Sequence, residues 1–239
     1  MSSYLADRKD IRNGSIVFKG DEAYHAAQSA RRSIGDEVFV IDGEGNGYRT
    51  VLEFISKKRV QALILETFTD WNEPTADVTL VAALIKGPRY ETAIEKAVEL
   101  GVSRIIPVQT HHTVIKPPSQ QRLGRWGNIA AAAAKQCRRG YAPIVHEPSQ
   151  LNDVIDSLSE GERFVVAHPG GEPDALEQLP TDSRHVTLLI GPEGGLHDSE
   201  MANCVENGAL LLDLGPRRLR TETAVTATMA LLMHHLGEI

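Results

Sequence analysis

LLIGPEGGLHDSE (residues 188–200) and LLDLGPRRLRTETA (residues 211–224) are the stretches on which the fold turns. In each, an apolar run with the character of a buried strand ends at once in a Gly-rich turn, and residues suited to the first turn of a helix follow. Parallel sheets place such turns beyond the carboxyl ends of their strands, where backbone N–H and C=O groups and helix N-termini face inward and ligands bind. Gly191, Gly194, Gly195 and Gly215 lack a Cβ, so the backbone there can bend sharply or approach a ligand closely. One such turn reads equally as ordinary punctuation after a buried strand. A pair, the second running into Arg220-Thr221-Glu222-Thr223, points to one shared pocket.

Upstream the same alternation of strand and helix holds. Residues 78–85 form a continuous apolar run suited to a buried parallel strand. Residues 92–100 carry Ile94, Ala97 and Val98 at helical spacing, with Gly101 as C-cap. Further strands are predicted at 105–109, 144–146, 164–167, 186–190 and 209–214, and helices at 123–139, 151–158 and 222–236. Another helix runs to Asn207, with Asp198 or Ser199 as its N-cap. This order predicts an α/β domain whose parallel sheet is covered on both faces.

The first 70 or so residues differ. Short β-rich runs at 15–18, 37–42, 48–55 and 60–66, separated by turn material such as Asp42-Gly43-Glu44-Gly45-Asn46-Gly47, predict a small sheet or barrel. A helix over 22–32 carries His25, Arg31 and Arg32. Trp71-Asn72-Glu73-Pro74 reads as a linker, the proline discouraging continuation of either element. The expected division is therefore 1–73, a β-barrel, and 74–239, the α/β domain.

Composition excludes several classes. The chain of 239 residues is 41% hydrophobic and 24% charged, as ordinary globular proteins are. It has no apolar run near the ~20 residues of a membrane helix, and MSSYLADRKD lacks the apolar stretch of a signal peptide. A cytoplasmic protein without membrane contact is expected. Cys137 and Cys204 have no CxxC spacing, and His111-His112 has neither the spacing nor the partners of a metal site, so no metal is expected. The G-x-G-x-x-G fingerprint after the first strand of the α/β region is absent, which disfavours a nicotinamide enzyme.

Charge is uneven. The net charge is −7, yet residues 101–146 hold no Asp or Glu and seven Lys or Arg, whereas 147–239 hold sixteen acids and five Lys or Arg. A basic stretch on an acidic protein suits a localised anionic partner; the alternative is a solvated face balanced by acids folded beside it. Arg122, Arg125, Lys135, Arg138 and Arg139, with Arg31 and Arg32, are the candidate contacts to such a partner.

GPEGG (191–195) and LGPRRLRTETA (214–224) resemble the two C-terminal motifs of the bacterial 16S ribosomal RNA uracil N3-methyltransferases, a SPOUT-class family. Lys86-Gly87, ETAIEKAVELG (91–101), and Trp126 with Ile129 and AAAAKQCRRGYAPI (131–144) match as well. Lys135 stands where glutamate is usual and His112 where arginine is common; in the barrel, His25, Arg31 and Gly35 keep the family spacing with Ala30 in place of leucine. The resemblance implies a PUA-like barrel that helps grip RNA, then a parallel-sheet domain binding S-adenosylmethionine in a deep trefoil knot. The knot rests on resemblance alone, since knots are nearly absent from proteins. A homodimer is implied too, with methyl transfer to N3 of one uridine in the 16S ribosomal RNA of the small subunit. Backbone groups around Gly191, Gly195, Leu214, Gly215 and Leu219 would hold the cofactor, with Leu189 and Ile190 walling the pocket.

Methyl transfer needs an aligned acceptor and a route for its proton. Arg220 is the candidate to hold a phosphate or a uracil carbonyl oxygen, and it could equally pair with Glu222 or Glu193 to steady the turn. Glu222 is the candidate proton acceptor, though a carboxylate in the first turn of a helix also suits the macrodipole. Two rival functions stay open: a SPOUT enzyme acting on a transfer RNA base or a ribose 2′-hydroxyl, and a non-catalytic RNA-binding or ribosome assembly factor.

Overall fold

A computed structural model describes residues 3–239. The chain divides into two compact units, Met1–Glu73 with Ala131–Ala142, and Pro74–Ala130 with Pro143–Ile239.

The first unit is a curled six-stranded sheet in the order β1-β4-β5-β6-β3-β2. Its strands are β1 (Ser3–Leu5), β2 (Ile11–Arg12), β3 (Ser15–Lys19), β4 (Glu37–Ile41), β5 (Gly47–Ile55) and β6 (Arg59–Phe68). β1 runs parallel to β4, and the remaining pairs are antiparallel. Side chains alternate across each strand, so Ile16 and Phe18, Val38 and Val40, and Val60 and Ala62 enter one core. Tyr4 on an edge strand stacks on Phe18, near the other edge, with ring centroids 5.1 Å apart. That contact requires the sheet to curl upon itself, as the expected barrel does. β1 is too short to show a period, and sequence reasoning missed it.

The helix predicted over 22–32 is α1 (Gly20–Tyr24), continued by a π-helical turn at His25–Ser29. It buries Ala23 and Ala26 in the barrel core and stops where Arg31 takes φ +49°. The boundary expected near 73 assigns residues 131–142 to the α/β region, but they pack with the barrel. A buried ion pair of Arg139 with Glu73, an ion pair of Lys135 with Glu22, and a Gly45 N–H bond to the Gly140 carbonyl (3.0 Å) hold them there.

The second unit is an all-parallel sheet, β10-β8-β7-β12-β11-β13, with β9 paired to β8. Its strands are β7 (Asp77–Ala83), β8 (Arg104–Gln109), β9 (Ile144–Val145), β10 (Ser149–Gln150), β11 (Arg163–Glu172), β12 (His185–Ile190) and β13 (Leu210–Leu212). The helices are α2 (Arg89–Glu99), α3 (Gln120–Cys137), α4 (Leu151–Asp156), α5 (Asp198–Glu206) and α6 (Thr221–His235), and within α3 the chain passes to the first unit after Ala130. Leu151, Val154 and Ile155 of α4 and Cys204 of α5 pack on Val81, Val108, Val166 and Leu189. α2 and α6 pack together, burying Ile94, Val98, Val225 and Met229. The expected α/β order is borne out.

Two details differ from expectation. The N-cap of α5 is His197 rather than Asp198 or Ser199: its Nδ1 accepts the Ser199 N–H at 3.3 Å, and Glu200 at N3 completes a capping box. β11 extends well past the predicted 164–167, because after a register shift between Ala167 and Glu172 it pairs again with β13.

Candidate active site

The carboxyl ends of β12 and β13, and the irregular stretch of β11 that lies between those strands in the sheet, open into one cavity of about 570 Å3. Each strand brings a glycine in the left-handed region, which other residues enter at a cost. After β12, the Gly195 N–H closes a turn onto the Pro192 carbonyl (2.9 Å) with Gly195 at φ +77°. After β13, Asp213 Oδ1 accepts the Gly215 N–H (2.9 Å) with Gly215 at φ +90°. Between β12 and β13, the irregular stretch of β11 between Ala167 and Glu172 brings His168, Pro169 and Gly170 to the cavity, with Gly170 at φ +87°. α6 begins against these turns, and its buried Thr221 hydroxyl reaches the Gly191 carbonyl at 3.5 Å, the long limit for a hydrogen bond.

Ile190, Gly191, Gly195, Leu214, Gly215 and Leu219, expected at the cofactor site, all line this cavity. Leu189 does not. It is fully buried in the core with Val81 and Val166, because alternation along β12 gives the cavity side to Ile190. The irregular stretch of β11 and the cavity-lining Asp213, Arg217 and Arg218 were not singled out from the sequence. The signal was present: His168-Pro169-Gly170-Gly171 follows an apolar run just as the other two glycine turns do.

Arg220 is the N-cap residue of α6, exposed, and makes no ion pair among the described residues. The alternative pairing with Glu193 is not formed, since Glu193 is engaged by Arg89 and its carbonyl accepts from Arg218 Nη2 at 3.4 Å. Glu222 sits between the cavity-lining Thr221 and Ala224, and its Oε2 is buried with no hydrogen-bond partner among the described residues.

The candidate RNA contacts fall in both units. In the first, Arg31 is exposed, Arg32 is half-buried, Lys135 is paired with Glu22, and the Arg138 guanidinium lies 4.7 Å from the centre of the Phe39 ring. Arg139, expected to face RNA, is only 4% exposed and bonds Glu73, so it offers no charge to solvent. In the second, Arg122 lies 5.3 Å from the centre of the Trp126 ring, and Arg125 pairs with Glu91 at 2.7 Å.

The His111 and His197 rings lie 4.3 Å apart with His112 beside them. Among the described residues no group of three or more His, Cys, Asp or Glu is arranged to hold a metal ion, and no helix is long and apolar enough to cross a membrane. Burial, with a further push from Glu200, raises the Cys204 thiol to about 11, so it stays protonated at neutral pH and is no nucleophile.

Comparison with known proteins bears on this cavity. The ribosomal RNA small subunit methyltransferase E of Bacillus subtilis is 31% identical over 216 residues, 86% of this chain and 84% of that one. The crystal structure of a ribosomal RNA small subunit methyltransferase E from Neisseria gonorrhoeae bound to S-adenosyl methionine matches with a TM-score of 0.86 and 26% identity, over 98% of this chain and 97% of that one. A methyltransferase from Legionella pneumophila in complex with the bound cofactor SAM gives 0.83 and 26%, over 97% and 96%. A family model described as an RNA methyltransferase PUA domain matches residues 18–65, within the curled sheet. A second, described as an RNA methyltransferase domain, matches residues 72–233 and takes in every turn of the cavity; the chain belongs to this RNA methyltransferase family.

Proposed function

We propose that the protein methylates N3 of a single uridine in the 16S RNA of the small ribosomal subunit, with S-adenosylmethionine as donor. The observation that carries this reading is the cavity built by three neighbouring parallel strands, the turns after β12 and β13 and the irregular stretch of β11, with a left-handed glycine from each. Its volume of about 570 Å3 suits a small-molecule ligand. The N. gonorrhoeae relative was solved with that cofactor, and its name specifies small-subunit ribosomal RNA.

The residues fit the group. Gly191, Gly195 and Gly215 carry no side chain of their own, so a ligand can come close to the main chain there, while Ile190, Leu214 and Leu219 provide apolar wall. When bound, S-adenosylmethionine supplies a methyl group activated by a positive sulfur.

Uracil N3 lies on the pairing edge, so only an unpaired or extruded nucleotide can present it. Its proton must leave as the new N–C bond forms. A buried carboxylate oxygen without a donor, such as Glu222 Oε2, is unfavourable unless a ligand supplies one. The N3–H meets that need, and Glu222 takes the proton. Arg220, committed to no acid, holds a phosphate or a uracil carbonyl oxygen beside it. Arg31, Arg122 and Arg125 supply further phosphate contacts. In the same reading the chain is knotted at the cofactor turns and works as a homodimer.

The test is methyl transfer from labelled S-adenosylmethionine to purified small subunits lacking their own uracil methylation, with the product nucleoside identified by mass spectrometry. The expected product is 3-methyluridine; label in another nucleoside, or none, overturns the substrate. Glu222→Gln is expected to lower kcat about hundredfold with cofactor affinity kept, and wild-type turnover would assign the proton elsewhere. Arg220→Ala is expected to raise KM for the subunit about tenfold, read from initial rates against subunit concentration.

A further inference from the structure

Glu200 is 7% exposed, and both its carboxylate oxygens are engaged by backbone. Oε2 accepts the His197 N–H at 2.9 Å, the local bond of the α5 capping box. Oε1 accepts the His111 N–H at 2.8 Å, 89 residues back along the chain in the loop after β8. That loop is itself ordered by the Thr110 N–H donating to the Thr113 hydroxyl (2.9 Å). Its next residue, His112, donates from Nδ1 to the Gly195 carbonyl at 3.0 Å, on the turn that lines the cavity. The His111 and His197 rings lie 4.3 Å apart, centre to centre.

Capping a helix needs one acceptor oxygen, which glutamine supplies as well as glutamate and without the cost of burying a charge. Glu200 uses its second oxygen to fasten another loop. We propose that Glu200 is a positioning residue for cofactor binding: it bridges the loop after β8 to the glycine turn at 191–197 and so holds one wall of the cavity in shape. The proposal rests on the cofactor reading above.

Glu200→Gln separates the two roles. The amide keeps one acceptor for the helix cap, but its nitrogen then faces the His111 N–H, donor against donor. The expected result is a melting temperature near that of the wild type, with the calorimetric Kd for S-adenosylmethionine raised about tenfold. KM for the cofactor rises in step while kcat is little changed, and amide exchange at His111 speeds up. Glu206→Gln, an exposed position on the same helix, leaves Kd as it is. If Glu200→Gln fails to fold, His112→Ala removes the companion bond to Gly195 and should raise Kd in the same direction. A variant with lowered melting temperature and unchanged Kd makes Glu200 merely structural and overturns the proposal. A wild type that binds no S-adenosylmethionine sinks the cofactor reading itself, whereas equal binding by wild type and variant sinks only the bridge.

Discussion

Glu73→Ala is expected to destabilise the protein by about 3–5 kcal/mol, the usual consequence of removing one partner of a buried ion pair. The Arg139 guanidinium donates from Nη2 and Nε to Glu73 Oε2 at 2.6 and 3.1 Å, and the Tyr141 N–H donates to Oε1 at 2.9 Å. Both side chains are nearly buried, at 4% and 10% exposure. Deleting the carboxylate removes the acceptor of two guanidinium bonds and leaves the Tyr141 N–H without this acceptor. Residues 131–142 would lose a buried polar tie to the barrel. Urea unfolding followed by circular dichroism measures the loss. Glu73→Gln, which retains an acceptor for Tyr141, should lose less. A wild-type midpoint for Glu73→Ala would show that apolar packing alone holds this segment.

The second large effect is expected at Gly171, where β11 crosses close to β13. A Cβ there would stand 2.4 Å from the Leu211 carbonyl oxygen and 2.7 Å from its carbon, which are main-chain atoms that cannot turn aside. Gly171→Ala should cost about 3 kcal/mol as the strands are forced apart, seen as a melting temperature lower by about 6–12 °C. The same segment carries His168, Pro169 and Gly170 into the cavity, so calorimetric affinity for S-adenosylmethionine should fall as well. Gly161→Ala is the comparison: at φ +86° with open space around it, the residue should pay only left-handed strain, about 1–2 kcal/mol. Equal effects at the two positions would mean that the close passage over Leu211 is not what shapes the turn.

Local pattern carried much of this molecule. The apolar runs at 78–85, 105–109 and 186–190 became β7, β8 and β12, and the helical spacing of Ile94, Ala97 and Val98 became the buried face of α2. The glycine turns at 191–195 and at Gly215 stood out because glycine after an apolar run has few local explanations. Where a neighbour far along the chain decided the outcome, the reading failed. Arg139 looked like a surface charge in a basic stretch, but Glu73 lies beside it and takes it inside. Leu189 and Ile190 are equally apolar, and only the pleat of β12 assigns one to the core and the other to the cavity.

By itself the sequence determined the order of elements, the parallel sheet and the two glycine turns, since periodicity and backbone freedom are properties of neighbouring residues. Tertiary structure alone decided that the irregular stretch of β11 at 168–170 joins them, that residues 131–142 belong with the barrel, and that Glu200 fastens the loop at His111 to the turn at His197. Each of these is a meeting of groups distant along the chain. The burial and hydrogen bonds such meetings create leave no local pattern to read.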